Sequence, residues 1–189
     1  MNSTSDNVLM MKVKSGDLDK LGLLFERYHR RLFGFFFRLT ASRDISEDLV
    51  QEVFEKILKY RKTFSEDGTF AAWIFGIARN LHIDYYRKKA NDRLENGFTD
   101  WDQIPSVGLD NQSGSDSESE INQWLIRKAL DHLDDDKKQV LVLSRYEGFK
   151  YSEIADVMGC SENTVKVRAF RALKEMKVLM DTIRKKEKL

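Results

Sequence analysis

Apolar residues recur three or four positions apart along most of the chain, a spacing that places them on one face of an α-helix. In the first half, this pattern predicts a helix over about 21–39, a second over 46–60 and a third that begins near Thr69 and continues through 81. Thr69 is a candidate N-cap, because a threonine hydroxyl accepts hydrogen bonds from first-turn amides. Together these elements predict a helical bundle with apolar side chains in its core.

The second half of the chain predicts shorter helices and one tight turn. A helix covers about 121–133, a second follows the aspartates at 134–136, and a third covers 153–158 with Ser152 as its cap. The turn at 159–161 then leads into a long last helix, and this combination is the helix-turn-helix pattern. The last helix is expected to bury a stripe of small and apolar side chains: Val165, Ala169, Ala172, Leu173 and Met176.

The composition agrees with a helical protein and excludes several other kinds. The 189 residues include one proline and ten glycines, so helix breakers are few and an all-α fold is expected. Charged residues make up 33% and hydrophobic residues 41%, which favours small cores over one large core. A single cysteine, Cys160, excludes an internal disulfide and a multi-thiolate metal site. With no signal-peptide pattern and no long apolar run, the chain is expected to be cytoplasmic, without direct membrane insertion.

Charge divides the chain into three parts. Residues 1–89 carry 16 Lys and Arg against 12 Asp and Glu, residues 90–120 carry one against eight, and the remainder carries 15 against 11. The acidic middle part is rich in serine and glycine, and such a composition cannot bury enough apolar surface to fold. The sequence therefore predicts two small helical domains, at 8–89 and 121–180, joined by a flexible acidic linker at 90–120 and followed by a basic tail at 181–189.

The polar face of the third helix suits single-stranded nucleic acid. Asn80, Asp84 and Arg87 share one face because they lie at i, i+4 and i+7. Tyr85 and Tyr86 directly precede cations at 87–89, and bases stack on such rings while cations contact phosphates. A plain helix end is the alternative, because cations are favoured at any helix C-terminus.

The last helix is basic, as expected of a helix that enters the major groove of DNA. From Ser161, its candidate N-cap, to the end of the chain there are nine Lys and Arg against four Asp and Glu. The side chains expected to reach base edges or phosphates lie along its first half: Asn163, Thr164, Lys166, Arg168, Arg171 and Lys174. The alternative is the solvated face of an ordinary antiparallel bundle.

Several blocks of the sequence resemble the extracytoplasmic-function (ECF) sigma factors of bacterial RNA polymerase, within the sigma-70 family. The segment 48–54, DLVQEVF, resembles region 2.2 of that family, and 70–89 resembles regions 2.3 and 2.4. The segments 151–155, YSEIA, and 164–173, TVKVRAFRAL, resemble region 4.2. A helix-turn-helix alone occurs in many regulators, whereas these blocks in this order are specific. The resemblance implies an all-α protein with a sigma region 2 bundle and a sigma region 4 helix-turn-helix.

The resemblance also implies a role for each surface. Contact with the clamp coiled-coil of the largest subunit of core RNA polymerase is implied for Asp48, Gln51, Glu52 and Phe54. Recognition and melting of the −10 promoter element is implied for Trp73, Asn80, Asp84, Tyr85, Tyr86, Arg87 and Lys88. Recognition of the −35 element is implied for Ser161, Asn163, Thr164, Lys166, Arg168, Arg171 and Lys174. The loop at 61–69 matches one that captures a flipped base in this family.

The implied partners are core RNA polymerase and promoter DNA. An anti-sigma factor is a further partner common in the family, although no residue of this chain identifies one, and no cofactor is implied. A conventional helix-turn-helix regulator, which binds duplex DNA without polymerase, is the alternative and accounts for the second domain only. An enzyme is not expected, because His29, His82 and His132 are isolated and no metal-ligand spacing, phosphate-binding glycine loop or Ser/His/Asp set occurs.

Overall fold

The structure, a computed structural model, describes residues 4–95 and 118–187, and every regular element within them is helical. The first part of the chain forms α1 (Asp6–Ser15), α2 (Lys20–Thr40), α3 (Arg43–Tyr60), a 3₁₀ turn (Arg61–Thr63) and α4 (Phe70–Glu95). The second part forms α5 (Glu118–Asp131), α6 (Asp135–Leu141), a π-helical turn (Val142–Tyr146), α7 (Tyr151–Met158) and α8 (Glu162–Glu187). Two compact units result, one holding α1–α4 and the other built around α5, α6 and α8. The prediction of an all-α protein with two helical parts is confirmed.

The first unit is a bundle in which α2 and α4 both pack against α3, while α1 packs against α2. Its core is rich in aromatic side chains, and the rings of Phe35 and Phe75 meet edge to face with centroids 5.4 Å apart. Such pairs add stability beyond the area they bury. The fully buried side chains of the bundle include Leu24, Leu32, Phe36, Val53, Ile57 and Ile74. Helix α1 lies outside the helices that the apolar pattern predicts.

Hydrogen bonds at helix N-termini explain where the helices of the first unit begin. Helix α3 begins three residues earlier than predicted, because the hydroxyl of Ser42 accepts a hydrogen bond from the amide of Ile45 at 3.4 Å. The predicted N-cap at Thr69 is confirmed, since its hydroxyl accepts from the amide of Ala72 at 3.1 Å. Each bond satisfies an amide that would otherwise lack a partner in the first turn of the helix.

In the second unit, α5 and α6 pack on α8 around a small apolar cluster. Its buried members are Ala129, Leu130, Leu133, Leu141, Ala172 and Met176. The small alanines let the helices approach closely, as the stripe on the last helix predicts. Lys137 links α6 to α8 by hydrogen bonds to Asp134 and Glu175, each 2.7 Å long, and these bonds raise the pKa of the lysine.

The predicted helix-turn-helix is present, with one difference at its start. Helix α7 begins at Tyr151 because the carboxylate of Glu153 accepts a hydrogen bond from the amide of Lys150 at 2.8 Å, so Ser152 does not cap it. Gly159 ends the helix in a left-handed conformation with φ of +63°, which a residue with a side chain rarely adopts. Ser161 caps α8 as predicted, accepting from the amide of Thr164 at 3.2 Å.

Both ends of the predicted acidic linker are helical in the structure. Helix α4 continues to Glu95 and α5 begins at Glu118, because no proline or glycine interrupts either end segment. The predicted flexible segment between them lies outside the described residues. Across residues 4–95 and 118–187, no helix combines the length and hydropathy that crossing a bilayer requires.

Candidate functional site

The face of α3 predicted to bind core polymerase is exposed and polar. Asp48, Gln51 and Glu52 are all exposed, and their spacing places them on one side of the helix. The ammonium of Lys56 lies 3.7 Å from the carboxylate of Glu52, an exposed pair of small energetic weight. A hydrated acidic face of this kind suits a polar protein–protein interface.

Phe54 does not lie on this face, although the sequence predicts it there. Its side chain is buried, because a position six residues after Asp48 points away from the Asp48 side of the helix. The ring of Phe25 covers it, with centroids 4.8 Å apart, and stacks in turn on His29 at 5.0 Å. Phe25 itself is 42% exposed, so the aromatic surface available to a partner at this point belongs to Phe25. Phe25 is not among the predicted site residues, because it falls within an apolar stripe that predicts burial in the core.

One face of α4 collects the side chains predicted to bind the −10 element. Trp73, Asn80, Asp84 and Arg87 follow one another at seven, four and three residues, so they lie along one side of the helix. Asn80 is exposed, and the guanidinium of Arg87 donates to the carboxylate of Asp84 at 2.8 Å. Both charged side chains are largely exposed, so a ligand can exchange for either partner at small cost.

The structure does not bring Tyr85 and Tyr86 onto that face. Each lies about 130° around the helix from its centre, one on each side, as 100° of rotation per residue requires. The ring of Tyr86 lies 4.8 Å from the buried ring of His82, and the ammonium of Lys89 lies 6.0 Å from the centre of the Tyr85 ring. Lys88 is exposed near the end of the helix. The side chains predicted to form one −10 surface therefore occupy separate parts of α4. Trp73, Asn80, Asp84 and Arg87 share one face, here called the Asn80 face, and the two tyrosines flank it.

The loop before α4 lies between two buried phenylalanines. Residues 65–69 are all exposed, whereas Phe64 and Phe70 are 1% and 0% exposed, with ring centroids 6.1 Å apart. The indole of Trp73 lies 5.4 Å from the ring of Phe64, so the same aromatic cluster joins the loop to the functional face of α4. Phe64 is absent from the predicted site residues. Its one signal in the sequence is that it is the only aromatic residue in the polar segment 61–68.

Helix α8 presents its predicted base-reading residues near its N-terminus, where most carry an intramolecular partner. The hydroxyls of Ser161 and Thr164 lie 2.8 Å apart, and the ammonium of Lys166 lies 2.7 Å from the carboxylate of Glu162. Asn163 is exposed in the first turn. Farther along the helix, Arg171 and Lys174 are exposed as well, and their three-residue spacing places them on the same side of the helix.

Arg168 differs from the other predicted DNA contacts because it is tied to α6. Its guanidinium lies 2.7 Å from the carboxylate of Asp136, and its side chain is only 31% exposed. A second nitrogen lies 4.0 Å from the sulfur of Cys160, which is half-buried in the turn before α8. These two contacts tie Arg168 to α6 and to the turn, whereas the sequence predicts a contact with bases or phosphates.

Apolar side chains on the solvent face of α8 are the main feature that the sequence analysis missed. Phe170 is 70% exposed, Val167 40% and Leu173 41%, although Leu173 is predicted to be buried. The true buried stripe runs through positions 165, 169, 172 and 176, and these three residues fall outside it. For Val167 and Phe170, the sequence signal of exposure is an apolar residue that lies outside the predicted stripe of an otherwise basic helix.

The described residues offer no place for a metal of the usual kind. In residues 4–95 and 118–187, no three His, Cys, Asp or Glu side chains are grouped so that they could hold an ion. The chemistry that the exposed faces offer is hydrogen bonding, ion pairing and aromatic contact. These are the interactions by which proteins bind nucleic acids and one another.

Comparison with known proteins finds a sigma-70 region in each half of the chain. Residues 24–91 match the family described as Sigma-70 region 2, and residues 123–176 match Sigma-70, region 4. The chain is 30% identical over 166 residues to the ECF RNA polymerase sigma factor SigX of Bacillus subtilis, covering 86% of this chain and 84% of that protein. It is 32% identical over 149 residues to the ECF RNA polymerase sigma factor EcfG of Rhodopseudomonas palustris, covering 79% and 78%.

A solved structure also resembles this chain across most of its length. It is the sigma factor RpoE in complex with the anti-sigma factor NepR from Bartonella quintana, with a TM-score of 0.70 and 26% identity. The alignment covers 85% of this chain and 96% of that one. The chain therefore belongs to the family of ECF RNA polymerase sigma factors.

Proposed function

We propose that this chain is a promoter-specificity subunit of bacterial RNA polymerase, which binds the core enzyme and directs initiation at promoters with −10 and −35 elements. The observation that carries the proposal is the presence of sigma-70 regions 2 and 4 on one chain, at 24–91 and 123–176. The chain then acts in the cytoplasm, where polymerase and chromosomal DNA are. It catalyses no reaction itself and positions the DNA for the polymerase.

The acidic face of α3 binds the clamp coiled-coil of the largest polymerase subunit. Asp48, Gln51 and Glu52 supply the polar contacts, and their exposure leaves them available to a partner. Phe25 extends this surface with an apolar ring next to the buried Phe54. An exposed aromatic side chain beside charged residues is the usual composition of a binding hot spot and its rim.

The loop at 65–69 and the Asn80 face of α4 bind the melted −10 element. A single strand offers base edges and phosphates on a flexible backbone, so a surface that combines an amide, a guanidinium and an indole suits it. Asn80, Arg87 and Trp73 supply these groups, and Asp84 holds Arg87 in place. Tyr85, Tyr86 and Lys88 contact the strand as it leaves this face.

Helix α8 reads the −35 element in the major groove of duplex DNA. Asn163 lies in its first turn, where a recognition helix meets base edges, and Arg171 and Lys174 contact phosphates. The exposed Val167 and Phe170 suit the methyl group of thymine, the one apolar group in the major groove. Arg168 positions the helix through Asp136.

A conventional helix-turn-helix regulator is not favoured, because residues 24–91 match a sigma region that such a regulator lacks. A solved neighbour of this chain is a sigma factor in complex with an anti-sigma factor, which supports a regulatory protein as a further partner. We expect an anti-sigma factor to bind this chain as well.

Run-off transcription with purified bacterial core polymerase on genomic fragments tests the proposal. New discrete transcripts that need both core and this chain are expected, and alignment of their start sites yields the two promoter elements. The variant D48K/E52K should abolish them, whereas the matched charge change D181K/E187K, at exposed positions of α8, should not. Duplex DNA binding without core, together with no new transcript, would contradict the proposal.

A further inference from the structure

Helix α1 is hydrogen-bonded to the far end of the loop that precedes α4. The side-chain amide of Asn7 donates to the carbonyl oxygen of Gly68 at 2.9 Å. The carbonyl oxygen of the same side chain accepts from the amide of Phe70 at 2.7 Å. One asparagine therefore holds both the Gly68 carbonyl, near the end of the loop, and the first amide of α4, across more than 60 residues of sequence.

The near end of the loop is held by a second residue of α1. The ammonium of Lys14 donates to the carbonyl oxygen of Phe64 at 2.6 Å, and both residues are at least partly buried. Hydrogen bonds from a charged donor are shorter and stronger than those between neutral groups. The exposed residues 65–69 thus lie between two backbone points that α1 fixes from outside the loop.

Helix α1 is itself firmly anchored, so it can serve as a rigid support. Leu9, Met10 and Val13 are 2% exposed or less. At its N-terminus the carboxylate of Asp6 accepts a hydrogen bond from the hydroxyl of Tyr28 at 2.7 Å and pairs with Arg27. These contacts join α1 to α2 and do not involve the loop.

We infer that Asn7 and Lys14 are positioning residues that hold the 65–69 loop in the shape that accepts a flipped base of the −10 element. The inference rests on the proposed function. Extruding a base from a duplex is costly, and a loop that is already ordered does not add its own ordering entropy to that cost. Both residues act through backbone atoms of the loop, and neither needs to touch DNA.

The two hydrogen bonds of Asn7 can be separated by one substitution. In N7D the carboxylate still accepts from the amide of Phe70, and its charge is favourable at the N-terminus of α4. It can no longer donate to the carbonyl oxygen of Gly68. The variant therefore keeps the cap of the helix and releases the end of the loop.

The experiment uses holoenzyme assembled from core polymerase and the full chain. A promoter that the wild-type holoenzyme transcribes is varied at each −10 position to the three other bases, and run-off rates give a base preference at every position. We expect N7D and K14M to lower the preference roughly five- to tenfold at one −10 position, the size of one or two lost hydrogen bonds. Preferences at the other positions and affinity for core polymerase should stay close to wild type.

K12M is the matched control, because it removes the same charge as K14M from an exposed position of α1. It should leave every base preference unchanged. Wild-type preferences at every position in both N7D and K14M would overturn the inference, as would an equal loss at all positions accompanied by a lower melting temperature. A wild-type holoenzyme without promoter-specific transcripts would instead overturn the proposed function, and the inference with it.

Discussion

The two DNA-binding regions of this chain are built in opposite ways. The region proposed to bind the −10 element contains a loop fixed between buried aromatic anchors, Phe64 and Phe70, and bonded at both ends to a separate helix. The −35 region is the exposed face of one helix, whose side chains pair with nearby residues: Lys166 with Glu162, and Arg168 with Asp136. One region derives its shape from a core and the other from a helix surface.

This difference is what the proposed function requires, because the two regions would bind DNA in different states. A duplex is already rigid and presents its base edges in a groove of fixed width, so a straight helix with correctly spaced side chains is sufficient. A melted strand has no shape of its own, and the protein must supply one. At the −35 element the DNA would therefore be the rigid partner, whereas at the −10 element the protein would be.

The largest expected contrast between the regions is in stability. F64A should lower the free energy of unfolding by about 3 kcal/mol, because it leaves a cavity beside Phe70 and Trp73. F170A removes a side chain that is 70% exposed and should change it by less than about 0.5 kcal/mol. Urea denaturation of the two variants measures both values. Equal losses would show that the regions do not differ in this way.

Specificity should separate cleanly between the two regions. N163A should lower base preference at one −35 position by about tenfold, the value of roughly one good base contact, and N80A should act on the −10 element only. Run-off rates on promoters randomised at either element measure this. A loss at both elements from either single substitution would contradict independent recognition.

Alkaline pH should act on the anchor of α1 in the first region. Burial raises the pKa of Tyr28, and its hydrogen bond to Asp6 raises it further. As the pH rises, the Tyr28 hydroxyl therefore loses its proton first in the unfolded chain, near pH 10. The contribution of Tyr28 to folding stability is present below that pH and is lost as the pH rises above it. Y28F should remove this part of the pH dependence and lower stability near pH 8 by about 1 kcal/mol. Denaturation of both proteins between pH 8 and 11 gives the comparison, and identical slopes would contradict it.

The smallest expected effect concerns the Arg168–Asp136 pair. Both side chains are partly exposed, so a double-mutant cycle of R168A and D136A should give a coupling energy of about 0.5 kcal/mol in unfolding. If Arg168 orients α8, D136N should also weaken −35 recognition, although Asp136 lies on α6 and outside the proposed DNA contacts. Unchanged promoter strength in D136N would instead assign Arg168 to direct DNA contact.

Apolar spacing and capping residues predict most of the helices, whereas contacts between residues distant in sequence are not predicted. Thr69 and Ser161 were correct as N-caps, because capping depends on residues within one turn. The pair between Arg168 and Asp136 and the bonds of Asn7 join residues far apart in sequence, so no local pattern reveals them. Leu173 is predicted in the core because it adjoins the buried positions 165, 169, 172 and 176, and spacing alone does not show that the stripe stops short of it.

The central claim is that one region holds melted DNA and the other holds duplex DNA within a single holoenzyme. Permanganate, which oxidises unpaired thymines, tests it most directly on a promoter found by run-off transcription. Reactive thymines are expected in the −10 element only when core polymerase and this chain are both present, with the −35 element unreactive and protected. Protection of duplex DNA by the chain alone, with no reactive thymine when core is added, would contradict it.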